Sequence, residues 1–254
     1  MNDFQVLILA GGNGSRMNRG DLPKVLVPLN GQPMIEHLLG EIAYANLGNE
    51  PAIVVSHKAE EVIEALGDQY LYIHQPERKG TGHAVQIARE FLEDKAEHLI
   101  VLYGDHPFVT ADTLSNLAET HEGSGAVLTL ATVEVPNFKD WRAPFQDFGR
   151  VVRDQWGQIT KIVEKKDATA DELKILEVNP AYFAFRTDWL WRSIGRLTND
   201  NAQGEYYLTD LVALAVADGE TIGSVTIDAK EGLGVNTPEQ LALLENLDPR
   251  PELV

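Results

Sequence analysis

The chain has 254 residues, with 21 Lys and Arg against 39 Asp and Glu and a formal net charge of −18 at pH 7. That length allows one substantial core in a single domain, and that charge excludes a broad nucleic-acid surface, so any anion site must be local. No cysteine is present, which removes disulfides, thiolate metal sites and thiol nucleophiles.

The first strand is expected over residues 4–10, with no preceding basic segment, apolar stretch and small-residue cleavage site. No apolar run approaches the roughly 18 residues of a membrane span, so a cytoplasmic protein with no membrane or nucleic-acid partner is expected. The strand empties into Leu9-Ala-Gly-Gly-Asn-Gly-Ser-Arg-Met17, followed by Leu22-Pro-Lys-Val-Leu26. Gly11, Gly12 and Gly14 lack Cβ atoms, which lets consecutive backbone N–H groups converge on an anion. Such a turn can equally do no more than reverse the chain. Arg16 offers a bidentate fork to phosphate oxygens, and Lys24 a mobile point charge. The spacing is neither G-x-x-x-x-G-K-[ST] nor G-x-G-x-x-G, so neither a Walker loop nor a dinucleotide fingerprint is present.

Pro33 opens a helix with Ile35, Leu38, Leu39 and Ile42 on one face and Gly48 just past its end. Strands follow at 52–56 and 70–74, then a helix capped by Thr81 that carries Ala84, Ala88 and Phe91. Further strands are expected at 98–103, 125–134, 148–154, 159–164, 180–185 and 222–228. Asp105 follows the apolar run His98 to Tyr103, which puts a carboxylate at the carboxyl edge of a buried strand, where ligands of open α/β sheets collect. As a hard oxygen donor it suits Mg²⁺, although a turn aspartate before Pro107 would look the same.

Residues 204–217 read as a helix with Leu208, Leu211, Val212 and Ala215 inward. Thr237, Pro238 and Gln240 make a capping box for a last helix that buries Leu241, Leu244 and Leu247. The expected organisation is one domain over 1–247 with a proline-bearing tail over 248–254. His83 and His106 lack metal-ligand spacing and read as structural or peripheral. Trp189 and Trp191 read as packing, and Trp141 and Phe145 as part of a mobile loop over the ligand.

The glycine run and Lys24 segment, Gln75 with Gly80-Thr-Gly-His-Ala-Val-Gln86, Leu102-Tyr-Gly-Asp-His-Pro107, Gly149-Arg-Val-Val152, Val163-Glu-Lys-Lys-Asp167, Asn199 to Asp210 and Gly234-Val-Asn236 stand in one order along nearly the whole chain. In this the chain resembles the bacterial N-acetylglucosamine-1-phosphate uridyltransferases of the sugar-nucleotide pyrophosphorylase family.

The resemblance implies a Rossmann-like nucleotidyltransferase: an α/β fold with a twisted, mostly parallel but mixed sheet covered by helices. It implies Arg16 and Lys24 as catalytic cations on the triphosphate. Leu9, Ala10, Gly11, Gly12, Gly14, Gln75, Gly80 and Thr81 would bind the nucleotide, the last three around uracil. Tyr103, Gly104, Gly149, Glu164 and Asn179 would bind the sugar. Asp105 and Asn236 would hold Mg²⁺; without the resemblance Asn236 is a residue beside a helix cap, Gln75 a surface glutamine and Glu164 a strand-end charge. Where the family has Asn-Thr-Gly, this chain has Asn179-Pro180-Ala181, which removes a backbone donor and adds a methyl.

The expected reaction joins UTP and a hexosamine 1-phosphate, giving UDP-N-acetylglucosamine and pyrophosphate. Another hexose phosphate or nucleotide, or a non-catalytic nucleotide-sugar sensor, are the rival readings. A glycosyltransferase fits less well, since Asp105-His-Pro107 lacks the Asp-x-Asp metal motif. No hexapeptide repeats are present, so neither acetyl transfer nor the β-helix trimer of bifunctional members is expected, and a monomer or weak dimer is.

Overall fold

The computed structural model describes residues 4–12, 14–17 and 22–248. Asn13 of the glycine run and residues 249–254 of the expected tail lie outside the described residues. The first half alternates strand and helix: β1 (Phe4–Leu9), a small hairpin of β2 (Pro28–Leu29) and β3 (Gln32–Pro33), α1 (Met34–Ala45), β4 (Ala52–Val55), α2 (Ala59–Leu66), β5 (Leu71–His74), α3 (Thr81–Leu92), β6 (His98–Tyr103) and α4 (Ala111–Ser124). The second half is richer in strand: β7 (Leu128–Glu134), β8 (Gly149–Arg153), β9 (Ile159–Val163), β10 (Glu177–Asn179), β11 (Phe183–Arg186), α5 (Thr187–Ser193), α6 (Asp210–Ala217), β12 (Ile222–Thr226) and α7 (Pro238–Leu247).

The main sheet runs β5-β4-β1-β6-β11-β7-β10-β8-β9, with β12 also on β7. Pairing is parallel from β5 through β6 and between β12 and β7, and antiparallel from β6 through β11, β7, β10 and β8 to β9. The α/β class and the helix-covered mixed sheet are as expected. The alternation of elements overstates the parallel share, because no α-helix lies between β7 and β11 and antiparallel neighbours need no crossover.

β1 shows why its sequence is apolar throughout. Phe4, Val6 and Ile8 enter one core, with α1, α4 and α7. Leu7 and Leu9 enter the other, with α3, α5 and α6. A strand covered on both faces loses the polar alternation of a half-exposed one. Trp189 and Trp191 are buried in the second core, as their reading as packing requires.

Several expectations need correction. α6 starts only at Asp210, because the Tyr206 backbone is bonded outside any helix: its N–H donates to Lys79 O at 2.8 Å and its carbonyl accepts from Gly82 N–H at 2.8 Å. The 180–185 strand starts at Phe183. Pro180 has no N–H to give, and Ala181 sits at φ 70°, so the chain turns there. In α3, Phe91 is exposed, and the inward stripe is Ala84, Val85, Ala88 and Leu92. Thr81 is the first residue of that helix rather than its cap. Phe145 belongs to the core and is fully buried. The short helices α2 and α5, and the 14-residue α4, were not anticipated.

Candidate functional site

Parallel register brings the carboxyl ends of four strands to one edge. Leu9 is level with Val54 and Tyr103, and Val55 with His74. The glycine run, Gln75 and Asp105 therefore leave the sheet side by side, as the rule for open α/β sheets requires. They open onto a cavity of about 600 Å³, within the usual range for small-molecule sites.

All the residues expected in the site line this cavity except Ala10 and Gly104. Those two stand behind the wall: Ala10 N–H donates to Val54 O at 2.8 Å, and Gly104 N–H to Leu9 O at 3.1 Å. They hold the edges of the glycine turn to its neighbouring strands.

At one end lie the charged groups. Lys24 Nζ bonds Asp105 Oδ2 and also Asn236 Oδ1, the latter at 3.0 Å. Arg16 donates to the same Asn236 oxygen at 3.1 Å. Burial pushes the Asp105 carboxyl up, but Lys24 and His106 more than reverse this and hold it below the usual carboxylate range. Two hard oxygens thus converge on one cationic centre, a donor set that fits Mg²⁺. Among the described residues no three His, Cys, Asp or Glu side chains gather to hold a metal by themselves.

Asn236 is fixed by the cap of α7. Thr237 Oγ1 accepts from Gln240 N–H at 3.3 Å, as a capping box should, but Gln240 Oε1 accepts from Asn236 N–H at 2.6 Å. The preceding residue, Val235, donates to Asp105 O at 3.0 Å. The helix start and the carboxylate turn therefore set the Asn236 backbone together.

Gln75 and Gly80 line the next part of the cavity. Gly80 has φ 107°, and a Cβ there would stand 2.5 Å from Tyr206 O, so both conformation and space demand glycine. Thr81 Oγ1 accepts from Leu208 N–H at 3.0 Å, which ties α3 to the 205–208 segment.

Beyond them stand Tyr103, Gly149, Glu164 and Asn179. Burial raises the Glu164 carboxyl above its usual value; Thr209, which donates to it at 3.0 Å, opposes this, and Asp210 and Asp167 add to it. A Cβ on Gly149 would come within 2.9 Å of Ile162 Cγ2 and 3.3 Å of Glu164 Oε1. Asn179 is buried and accepts the Ala181 N–H at 3.0 Å. Pro180 and Ala181 themselves line the cavity.

The model of the MobA-like NTP transferase domain matches residues 6–207. The chain belongs to this family. Similar proteins include bifunctional protein GlmU of Shouchella clausii, 40% identical over 240 residues that cover 94% of this chain and 51% of that protein. Bifunctional protein GlmU of Streptococcus pyogenes serotype M3 is 39% identical over 242 residues, covering 95% and 51%. The chain spans about half the length of the curated relatives it matches. Its fold is shared with CMP:2-keto-3-deoxy-manno-octonic acid synthetase complexed with CTP, with a TM-score of 0.71 at 20% identity over 97% of this chain and 98% of that one. As an NTP transferase domain it is a nucleotidyltransferase by family, and among the described residues no helix is long and apolar enough to cross a membrane.

The span matched by this NTP transferase family ends before Asn236 and Gln240. Sequence reasoning missed a further group on the cavity wall, including Arg78, Asp147, Phe148, Tyr207 and Thr209. It also missed Arg150, which is fully buried and grips the turn beside the cavity by donating to the carbonyls of Phe148 and Gln146, the latter at 3.0 Å. A charged residue between Gly149 and Val151 was the available signal, since arginine is almost never fully buried without partners.

Proposed function

We propose that the protein is a Mg²⁺-dependent uridylyltransferase that forms UDP-N-acetylglucosamine and pyrophosphate from UTP and N-acetylglucosamine 1-phosphate. The observation that carries the reading is the convergence of Lys24, Asp105, Asn236 and Arg16 on a cavity that is also lined by Gln75, Gly80 and Thr81 and by Gly149, Glu164 and Asn179. One cavity thus carries the charged centre together with the residues assigned to base and to sugar, which suits a reaction between two phosphate-bearing substrates.

An oxygen of the sugar phosphate attacks the α-phosphorus of UTP. The bond to the β-phosphate oxygen breaks, and pyrophosphate leaves with the electron pair. The attacking phosphate is already ionised, so the chain needs no general base, and catalysis rests on positioning and charge. Asp105 and Asn236 would hold Mg²⁺, which when bound supplies neutralisation of phosphate charge. Lys24 gives up its bonds to these oxygens for the incoming triphosphate, and with Arg16 it steadies the departing pyrophosphate. Gln75, Gly80 and Thr81 seat uracil. Glu164 and Asn179 orient the sugar, with Gly149 keeping the space before Glu164 clear.

The Pro180-Ala181 corner favours a second reading for the sugar, transfer to another hexose 1-phosphate. Pyrophosphate release across a panel of nucleoside triphosphates and sugar 1-phosphates with Mg²⁺ tests both. UTP with N-acetylglucosamine 1-phosphate should give the highest kcat/KM. Preference for glucose 1-phosphate would overturn the sugar assignment, and no pyrophosphate release from any pair would overturn the enzyme.

A further inference from the structure

Gln75 is buried, and its two amide atoms face different neighbours. Nε2 lies 3.0 Å from His83 Nδ1 and 3.4 Å from Gly80 O. Oε1 lies on the side of the glycine run, 3.2 Å from where a Cβ on Gly11 would stand. The His83 ring also bonds the backbone carbonyl of Glu77. Gly80 O can only accept, so the amide group that faces it is the NH₂, and the same nitrogen donates to His83 Nδ1, which is the acceptor of the neutral ring. Both neighbours of the Gln75 amide nitrogen, Gly80 O and His83 Nδ1, therefore call for a donor.

This inference rests on Gln75 facing the base. We propose that His83 is a positioning residue: it locks the Gln75 amide so that the carbonyl oxygen is offered to the base, which selects a base with a ring N–H at that edge and refuses one with a bare ring nitrogen. Uracil presents N3–H there, whereas cytosine presents a lone pair at N3. Against cytosine two acceptors would meet, and a buried site built for a donor discriminates strongly against its absence.

The lock depends on the ring's charge. A doubly protonated imidazole donates from both nitrogens, so Nδ1–H would prefer Oε1, and the flipped amide would offer its NH₂ to the base. The charged groups facing the ring are Lys79 and Glu77. Burial lowers the imidazole below its ordinary value of 6.5, Lys79 adds to this, and the Glu77 carboxylate and carbonyl oppose it. The neutral, accepting form is therefore the form at neutral pH.

The test is the ratio of kcat/KM for UTP over CTP, with Kd for each nucleotide measured alongside. At pH 8 His83→Leu should lower that ratio about tenfold, the effect of one misplaced hydrogen bond, through nucleotide KM rather than the KM for sugar phosphate. His83→Asn can place an accepting oxygen near Nδ1 and should restore most of the ratio. In the unmodified protein the ratio should hold through pH 6.5 and fall only at the lower pH where the buried imidazole takes its second proton, and in His83→Asn it should not. Gln75→Ala separates the two levels: if it leaves base preference unchanged, the role of Gln75 is wrong and the proposal falls with it. If Gln75→Ala erases the preference while a folded His83→Leu keeps it, the proposal alone is overturned.

Discussion

Lys24 is held by a carboxylate and an amide oxygen that also suit a divalent cation. Asp105→Asn removes the only formal negative charge from that pair while keeping its shape. The proposed function requires turnover to fall by about 10²-fold or more, the usual loss for a preorganised electrostatic group. Pyrophosphate release at limiting Mg²⁺ measures this, and a near-normal rate would remove Asp105 from the centre. Ala181 gives a second test of another kind. An L-residue at φ 70° is strained by roughly 1–2 kcal/mol, so Ala181→Gly should stabilise the fold by about 1 kcal/mol and raise Tm by about 2–4 °C. Calorimetry reads it directly, and a lowered Tm would mean that the methyl's packing outweighs the strain. At this scale Arg16, Lys24 and Asp105 were legible because their chemistry needs charge beside a strand end. Thr209 and Tyr207 were not, since their approach depends on the bonds of the Tyr206 backbone to Lys79 and Gly82, which no local pattern announces.

Elements place these residues, and α7 is the clearest case. Its N-terminus joins the Thr237 cap to Asn236 through Gln240. Loss of an N-cap hydroxyl costs about 1 kcal/mol, so Thr237→Ala should lower stability by that amount. With the helix start loosened, it should also raise the Mg²⁺ concentration needed for half-maximal turnover. Denaturant melts and a Mg²⁺ titration check the two halves, and unchanged Mg²⁺ dependence would separate the cap from the site. The capping box and the apolar stripe made α7 readable from sequence. α4 carried a comparable signal, Thr110 before a Leu114, Leu117, Ala118 and His121 face, but its many polar residues dilute the stripe. The antiparallel half was harder to read because strands of three to five residues fix neither partner nor direction by local pattern.

Across the whole molecule, acid resistance is set partly far from the cavity. His121 is buried against the sheet, its Nδ1 2.9 Å from Thr129 Oγ1 and its ring 5.0 Å from that of His98. Burial first, then the neighbouring His98, bring its titration down from 6.5 to about 4. The unfolded chain therefore binds more protons between these values. Stability from this group is fully present above pH 6.5 and declines as pH falls toward 4, by about 3 kcal/mol at most. Urea midpoints at pH 7 and 4.5 should show the loss, and His121→Gln should flatten it. An equal loss in the variant would assign the acid sensitivity elsewhere.

The cationic centre also has a history along the chain. Lys24 and Asn236 are 212 residues apart in sequence yet share a hydrogen bond, and between them the chain lays down every strand of the main sheet after β1. During synthesis on the ribosome, the glycine run and Lys24 emerge early and Asp105 follows. The amide oxygen of Asn236 arrives only after all of β12 has been made. Closing so long a loop costs only about 0.6 kcal/mol more for each doubling of its length, but it cannot close before its second end exists. The glycine run with Lys24 and the amide oxygen of Asn236 are therefore made far apart in translation, and a nascent chain has the first long before it has the second.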